Sequence, residues 1–383
     1  MQNIRFEPGE LPPSARALRE EVRAFLREEL GPKGPTPRAF SWGTSFDRAF
    51  SKKVGARGWI GMTWPKKYGG GERSALERWV VQEEMLAAGA PCMCHWLADR
   101  QYGPMLLKFG TEAQREEFLP GMVKGETMFS IGMSEPDAGS DLAGVRTKAV
   151  RVDGGWELSG TKVWTTGAHL ADYALALVRT GGPETQKHAG LSQFIVDLKG
   201  QGVTVRPIYD VIGHHHFNEV HFDHAFVPNH RMVGGEGDGW KQVTNELAFE
   251  RSGPDRYLAS VRLYFELIRA AGAKPSERSA VAIGRLAAQL STLRQMSLSV
   301  ATMLEAGRDP AVEASMVKDV GTQHEQWLPE VVHDLLGTEP RLDTGGDLAR
   351  SHAYIVVNAP TFTIRGGARE VVRGIIARGL GQR

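Results

Sequence analysis

Cysteine is nearly absent from this sequence: 2 of its 383 residues, Cys92 and Cys94, are cysteines. So small a number excludes a disulfide-stapled scaffold, and no further cysteine is present to complete a metal site. We expect both thiols to be buried and reduced, as is usual in an intracellular protein.

Long apolar runs and an excess of one charge are also missing. No apolar stretch approaches the length of a membrane span, and the first residues contain no apolar signal core. The 46 basic and 45 acidic side chains give a formal net charge of +1, so there is no basic excess for binding nucleic acid. These absences predict a cytoplasmic protein that has no membrane span and does not bind nucleic acid.

Helical patterns occupy both ends of the chain. From Ser14 to Leu30 apolar residues recur at three- and four-residue spacing, and Thr111–Gln114 is a capping box. A closing helix is predicted after the glycine pair Gly366–Gly367. Further helical stretches are predicted over 78–90, 240–265 with an irregularity at 253–254, 281–304, 311–336 and 348–357.

The middle of the chain has the short period of β-strands. β-branched and aromatic runs are separated there by Gly, Pro and Asp clusters at strand-plus-turn spacing. The predicted strands cover 149–159, 173–179, 192–197, 203–207 and 218–222. This spacing is typical of a small antiparallel barrel or sandwich, and the length of the chain suits two or three domains.

Two segments of this middle region have residues that suit a ligand site. Met133–Leu142 contains a turn of small residues whose consecutive amide N–H groups can bind a phosphate. Lys162–Thr166 joins an indole to two hydroxyl groups, which suit an aromatic ring system. A plain strand–turn–strand with an interior tryptophan explains the same residues, so the pattern alone leaves both interpretations open.

A family resemblance favours the ligand site. Met133–Leu142 resembles the flavin-binding signature of the acyl-CoA dehydrogenases, and Lys162–Thr166 is similar to the second flavin-contacting segment of that family. Further motifs that resemble the family are Thr63–Gly70, Gly110–Gln114 with Leu119–Pro120, Phe217–Val220 with Val227–Pro228, and Glu370–Ala377. Several motifs in the family's order identify the chain as a member far better than one short pattern does.

The resemblance implies a fold, a cofactor and partners. The implied fold is α+β, mostly α, with an N-terminal helical domain over 1–128, a middle antiparallel β-barrel domain over 129–236 and a C-terminal four-helix bundle over 237–383. The implied cofactor is FAD and the implied substrate an acyl-CoA of fatty-acid β-oxidation. The implied electron acceptor is an electron-transfer flavoprotein, and the implied assembly is a homotetramer or dimer of dimers.

Dehydrogenation of a thioester needs a carboxylate base, a hydride acceptor and donors to the thioester carbonyl. The family places the base at one of two positions. At the position near the C-terminus this chain has Gly366, whose backbone N–H remains for the thioester carbonyl. The other position falls on Glu250, followed by Arg251, as in the isovaleryl- and long-chain branch. Arg251 is expected to support the base or the coenzyme phosphates. Glu246, one helical turn earlier, is the alternative base, and a solvated Glu250 is the simpler explanation.

The resemblance also assigns flavin contacts. They are Met133, Ser134, Gly139, Ser140, Trp164 and Thr166 in the middle domain, and Arg278, Gln289 and Glu370 in the last domain. Arg278 and Gln289 have the spacing of a family pair that reaches the flavin pyrophosphate and adenine across a subunit interface. Val281–Ala282 stand between them where the family has an aromatic residue and a glycine, so this match is weaker.

Several residues depart from the family pattern. Ala368 replaces a threonine beside the flavin, Arg365 replaces an aromatic residue on the pocket floor, and Asp137 stands where glycine is common. Arg365 is expected to clash with an apolar substrate, to pair with an acidic one, or to point into solvent. Gly366 in place of glutamate is expected to leave space, which favours bulky or branched acyl groups.

Histidines are clustered at 214–216, with His221 and His224 nearby. Alternation along a strand would place His214 and His216 on one face, as in some metal sites. Because no cysteine is near and the stretch ends in a family strand pattern, we expect a surface turn and no metal site.

The sequence thus predicts an FAD-dependent acyl-CoA dehydrogenase that forms trans-2-enoyl-CoA. Two alternatives stay open. One is an oxidase on the same fold, in which oxygen reoxidises the flavin. The other is a flavin-holding, non-catalytic subunit of a heteromeric dehydrogenase; Glu250 argues against it, whereas Ala368 and Arg365 leave it open.

Overall fold

The computed structural model describes residues 4–31, 45–182, 187–337, 339–343 and 346–382, and their side chains except those of 246–250. It divides into two compact units. The bundle unit contains Met1–Ser45, Arg73–Cys92 and Ala248–Arg383, and the sheet unit contains Phe46–Glu72 and Met93–Leu247. Each unit joins segments that are far apart in the sequence, and the division into three consecutive domains stays a prediction.

Helices and strands follow one another in three blocks along the chain. The helices are α1 (Pro13–Leu30), α2 (Arg48–Ala56), α3 (Ala75–Ala88), α4 (Met93–Leu97), α5 (Gly103–Phe109), α6 (Glu112–Val123), α7 (Gly239–Glu250), α8 (Val261–Ala271), α9 (Glu277–Glu305), α10 (Ala311–Leu336), α11 (Asp347–Phe362) and α12 (Arg369–Gly379). The strands are β1 (Phe129–Gly132), β2 (Lys148–Val152), β3 (Gly155–Lys162), β4 (Tyr173–Arg179), β5 (Leu191–Asp197), β6 (Val203–Tyr209), β7 (His215–Pro228) and β8 (Met232–Val233).

The core of the bundle unit lies between α8, α9, α10 and α11. Each helix contributes one apolar stripe, including Leu267, Leu286, Leu328 and Ile355, all fully buried. Burying each such side chain contributes about 1.5–3 kcal/mol relative to leaving it in water. The predicted irregularity at 253–254 is confirmed, since α7 ends at Glu250 and a single 3-10 turn, Pro254–Arg256, precedes α8.

The sheet unit is built on one sheet of order β6-β7-β3-β2-β4-β5-β8, with β1 paired to β4. Most pairs are antiparallel, as predicted, but β1 and β2 each pair with β4 in parallel. The stretch predicted over 149–159 forms two strands, because Asp153–Gly154 turns the chain with Gly154 at φ +75. Trp156, Leu158, Phe194 and Val220 lie in the core on one face of this sheet.

The predicted fold class is confirmed by helices at both ends of the chain and a central sheet. The capping box at Thr111 and Gln114 is present, with both reciprocal hydrogen bonds. Cys92 and Cys94 are buried free thiols, as predicted. None of the helices within the described ranges is long and apolar enough to cross a bilayer.

Two helical glycines provide a test of the packing in the bundle unit. A Cβ on Gly321 of α10 would lie 2.3 Å from the carbonyl oxygen of Arg256, whereas one on Gly374 of α12 would come no nearer than 3.6 Å to the Arg378 guanidinium. We expect Gly321→Ala to lower the free energy of unfolding by about 1–3 kcal/mol because the added methyl group forces a backbone shift. Gly374→Ala should leave stability unchanged or raise it by up to about 1 kcal/mol. Chemical denaturation of both variants measures the difference, and equal stabilities would contradict this packing.

Candidate functional site

The structure brings the two sequence motifs of the middle region together in the sheet unit. β1 leads directly into Met133–Leu142, and β3 ends at Lys162, the first residue of the second motif. The Val163 N–H donates to the Ser134 carbonyl oxygen at 2.9 Å. The Lys162 ammonium donates to the Met133 carbonyl oxygen at 3.1 Å. The two motifs therefore form one continuous site.

A buried ion pair holds this junction. Lys162 Nζ lies 2.7 Å from Glu135 Oε1, with the two side chains 0% and 7% exposed. The Glu135 carboxylate also accepts the backbone N–H groups of Arg146 at 2.6 Å and Thr147 at 2.9 Å. Both charges therefore have the hydrogen bonds that burial demands.

The pKa values of the pair reflect its environment. Burial lowers the pKa of Lys162 to about 8, against the opposing effect of Glu135. Burial also disfavours the charge of Glu135, but Lys162 and the N–H donors outweigh it, so the pKa of Glu135 lies below its ordinary value. Both groups are therefore charged at neutral pH.

The turn that follows Glu135 is open to a ligand. Glu135 and Ala138 exchange two backbone hydrogen bonds of 2.9 and 3.1 Å, which close the turn. Gly139 and Ser140, the next two residues, are exposed. A Cβ on Gly139 would meet no atom within 4 Å. A phosphate can thus approach the amides of this turn closely.

Trp164 presents its indole outward. It is 59% exposed, so the interpretation of an interior tryptophan is wrong. Its φ of +59 is unusual for a side chain of this size and costs roughly 1–3 kcal/mol. Phe217 supports the indole edge-to-face, with ring centroids 5.9 Å apart. A strained, exposed indole beside the turn is a flat apolar surface for a ring system.

β7 holds the residues after Trp164 in place. The Thr165 N–H donates to the Asn218 carbonyl oxygen at 3.0 Å, and Asn218 Nδ2 donates back to the Thr165 carbonyl at 2.9 Å. Ser130 Oγ donates to the Thr166 carbonyl at 2.8 Å. The Thr165 hydroxyl is buried and has no hydrogen-bond partner among the described residues. FAD has a flat ring system, polar ring atoms and a pyrophosphate, so an exposed indole, a hydroxyl without a partner and an open turn fit it.

In the bundle unit the structure brings Arg251 and Gly366 together. Arg251 is buried, and its Nε donates to the Gly366 carbonyl oxygen at 3.1 Å. Gly366 has a φ of +69 and Gly367 a φ of +98, in the left-handed region that glycine adopts without strain. Glu250 is the last residue of α7. Its side chain and that of Glu246 lie outside the described residues.

Arg365 points into the bundle unit. Its Nη2 lies 2.5 Å from Glu325 Oε2, with Glu325 fully buried and the Arg365 side chain 14% exposed. Burial raises the pKa of Glu325 to about 7, and Arg365 opposes this rise. The expectation that Arg365 points into solvent is therefore wrong, and its acidic partner is a residue of the same chain.

The space beside Gly366 is filled. A Cβ built on Gly366 would lie 3.0 Å from both Nη1 and Nη2 of Arg256. The expectation that glycine leaves room here for a bulky acyl group is thus wrong, because the Arg256 guanidinium occupies the volume. Ala368 is the N-cap residue of α12 and makes no side-chain cap.

The remaining predicted residues lie apart on the surface of the bundle unit. Arg278 is exposed at the start of α9 in a groove that Trp327 also lines. Gln289 is exposed on the same helix and bonds the ring of His324 at 3.1 Å. Because Arg278 and Gln289 are eleven residues apart on one helix, about 16 Å separates them along the helix axis. The two side chains therefore cannot bind the same group of a ligand. Glu370 is exposed in the first turn of α12.

The histidine cluster belongs mainly to a strand. His215, His216, His221 and His224 all lie in β7, so the expected surface turn is wrong for these four residues. The ring of His215 stacks on His169 with centroids 3.8 Å apart, and its Nε2 bonds Asn218 Oδ1 at 2.8 Å. Over the parts of the chain that the structure describes, no three His, Cys, Asp or Glu side chains are arranged to hold a metal ion.

Sequence reasoning missed the residues that support the site. These are Glu135 and Lys162 as a pair, Asn218, Arg256 and Glu325. One of them could have been found from the sequence. Lys162 is an even number of residues from the buried Trp156 and Leu158 in β3, and alternation along a strand therefore predicts that its ammonium faces inward. Asn218 lies in a segment that resembles the family but received no role, and Arg256 and Glu325 carry no local pattern.

Comparison with known proteins covers nearly the whole chain. Models of the N-terminal, middle and C-terminal domains of acyl-CoA dehydrogenase match residues 12–126, 130–225 and 237–381. Acyl-CoA dehydrogenase FadE29 of Mycobacterium tuberculosis is 33% identical over 382 residues, 96% of each protein. FadE34 of the same organism is 34% identical over 327 residues, which are 84% of this chain and 44% of that protein.

Two solved structures are similar over almost their full length. The Tcur3481-Tcur3483 steroid ACAD superposes with a TM-score of 0.87 at 30% identity, over 98% of this chain and 99% of that one. The ChsE4-ChsE5 complex from Mycobacterium tuberculosis gives 0.84 at 31% identity, with the same shares of 98% and 99%.

The buried pair generates a stability prediction. Glu135→Gln leaves the Lys162 ammonium buried without a carboxylate, and should lower the free energy of unfolding by about 3–5 kcal/mol. Adding Lys162→Met should recover part of this loss, because the stranded charge is gone. Asp141→Asn is the control, since it breaks an exposed pair with Lys187 in the same loop and should cost at most about 1 kcal/mol. Chemical denaturation followed by circular dichroism measures all three, and similar losses for Glu135→Gln and Asp141→Asn would refute the role of the buried pair.

Proposed function

Because this chain belongs to the acyl-CoA dehydrogenase family, oxidoreductases that act on acyl-CoA, we propose that it is an FAD-dependent dehydrogenase forming trans-2-enoyl-CoA. The observation that carries the proposal is the junction of the two motifs, where Val163 bonds Ser134 and the Trp164 indole is turned outward. This junction offers a surface for a flat ring beside a turn for phosphates.

The residues that the family resemblance assigns would hold FAD. In the sheet unit these are Met133, Ser134, Gly139, Ser140, Trp164 and Thr166. Arg278 and Gln289 are proposed to reach the pyrophosphate and adenine of a flavin across a subunit interface, and Glu370 to contact the adenine end. When bound, FAD supplies the acceptor for a hydride. The protein supplies position and electrostatics.

The residues around Gly366 and Glu250 would carry out the proton chemistry. The Gly366 N–H donates to the thioester carbonyl oxygen, where negative charge develops. The Glu250 carboxylate takes the α proton. The electron pair left on the α carbon forms the new double bond as the β hydrogen leaves with its own pair. Arg251, bonded to the Gly366 carbonyl, supports this turn.

We propose a bulky acyl group as substrate. Support comes from the likeness to a steroid ACAD at 30% identity. The position beside Gly366 gives no support, because the Arg256 guanidinium lies there. The proposed electron acceptor is an electron-transfer flavoprotein, and the proposed assembly a homotetramer.

A second candidate is one subunit of a heteromeric dehydrogenase. The ChsE4-ChsE5 complex, 31% identical to this chain, has two components. This candidate predicts that the chain alone is colourless or insoluble, and that it acquires flavin only with a partner.

Anaerobic titration of the yellow protein with thioesters tests the function. We expect one class among butyryl-CoA, isovaleryl-CoA and a steroid side-chain CoA to bleach the long-wavelength flavin band. Glu250→Gln should slow bleaching by at least about a hundredfold, because the α proton then has no base. Glu246→Gln, on the same helix, is the matched control and should bleach as the parent does.

Other outcomes would point elsewhere. Loss of bleaching in Glu246→Gln but not in Glu250→Gln would reassign the base. Bound flavin that no thioester bleaches would exclude dehydrogenation of this panel. Rapid release of peroxide in air without a mediator would favour the oxidase.

A further inference from the structure

Gly366 lies in a turn in which the carbonyl oxygens of Phe362, Thr363 and Arg365 each meet a buried donor. Thr322 Oγ1 donates to the Phe362 carbonyl oxygen at 3.1 Å, and Lys318 Nζ to that of Thr363 at 3.0 Å. Arg256 Nη1 lies 3.5 Å from the carbonyl oxygen of Arg365, the residue before Gly366. The donors come from two different segments of the bundle unit, α10 and the Pro254–Arg256 turn, so the turn is fixed by tertiary contacts.

The contact with Arg256 determines where the Gly366 N–H points. The Arg365 C=O and the Gly366 N–H belong to one planar trans peptide, in which they point in opposite directions. A guanidinium on the carbonyl side therefore aims the N–H away from Arg256. The backbone hydrogen bonds of the described residues include none donated by Gly366. The N–H is thus available to a ligand.

Arg256 is itself held rigidly. It is 3% exposed, and its Nε lies 3.0 Å from the fully buried Asp255 carboxylate. Arg365 Nη2 donates to the Asp255 carbonyl oxygen at 3.1 Å. The Pro254–Arg256 turn and the turn at Gly366 thus each place an arginine side chain against a backbone carbonyl of the other. Gly321 lets α10 approach the Arg256 backbone closely. The guanidinium therefore has little freedom to leave the peptide.

We propose that Arg256 is a positioning residue that orients and polarises the Gly366 N–H, so that this amide stabilises the enolate oxygen of a thioester. The inference rests on the proposed function and adds a residue to it. A cation at the carbonyl end draws electron density along the peptide and makes the N–H a stronger donor. The same guanidinium fills the position of a side chain at residue 366, which accounts for glycine there together with its positive φ.

The acidity of a bound analogue tests this role. 3-Thiaoctanoyl-CoA carries sulfur in place of the β carbon, so it can lose an α proton to form an enolate but cannot deliver a β hydride. Its enolate gives a long-wavelength absorption beside oxidised flavin, and a pH titration of that absorption gives the pKa of the bound α proton. We expect Arg256→Gln to weaken this ionisation at least about tenfold, raising that pKa by one unit or more. Arg256→Lys, which keeps the charge, should recover part of the loss.

Thr322→Val is the matched control, because it removes a donor from the same turn but not from the Gly366 peptide. Its ionisation should equal that of the parent. Equal shifts in Arg256→Gln and Thr322→Val would reduce Arg256 to a structural role and overturn the inference, as would an unchanged pKa in Arg256→Gln. If Arg256→Gln does not fold, Arg256→Lys takes its place. A smaller rise in the pKa of the bound α proton would then support the inference, and an unchanged pKa would overturn it. A parent protein that binds flavin but gives no enolate absorption would overturn the proposed function, and the inference with it.

Discussion

Burial of the Lys162 ammonium is the constraint on which the site in the sheet unit depends. An ammonium at the end of a core-facing strand must find acceptors, and here they are Glu135 and the Met133 carbonyl. Satisfying this one charge brings the loop after β1 to the end of β3. The backbone bond from Val163 to Ser134 then forms, and the chain can turn Trp164 outward. The apolar parts of the sheet provide most of the stability, but the ion pair determines where the loop lies.

The bundle unit uses buried charge in the same way. Asp255, Arg256, Glu325 and Arg365 are removed from water together, and each contact joins segments that are distant in sequence. Such a cluster contributes little net stability compared with apolar packing. It does fix the relative positions of the segments that it joins, because moving one of them would leave a buried charge without its partner. Glycine at 321 and 366 is the consequence, because side chains there would enter volume that Arg256 occupies. The glycine at the family's base position near the C-terminus, Gly366, is thus explained by its neighbour Arg256.

Periodicity and short motifs predicted the long helices and most of the central strands, but not the strands β1 and β8 or the short helices α2, α4 and α5. The strand predicted over 173–179 and the helix predicted over 311–336 have the bounds that the structure gives β4 and α10. The segments Met133–Leu142 and Lys162–Thr166, which the sequence suggested as parts of one site, do meet in the structure through Val163 and Lys162. The parallel pairing of β1 and β2 with β4 was not predictable, because local periodicity does not specify which strands are partners. The orientation of Arg365 and the filling of the space at Gly366 depend on Glu325 and Arg256, which no local pattern connects to them. The three domain boundaries and the role of Glu250 stay predictions.

The central claim is that two hydrogens leave adjacent carbons of an acyl-CoA. Mass spectrometry of the thioester after one anaerobic turnover tests it most directly, with flavin as the sole oxidant and the acyl chain deuterated at the α and β positions. The account predicts a product that has lost one deuterium from each carbon, in an amount equal to the flavin reduced. A thioester recovered with both positions fully labelled, beside flavin that remains oxidised, would contradict it.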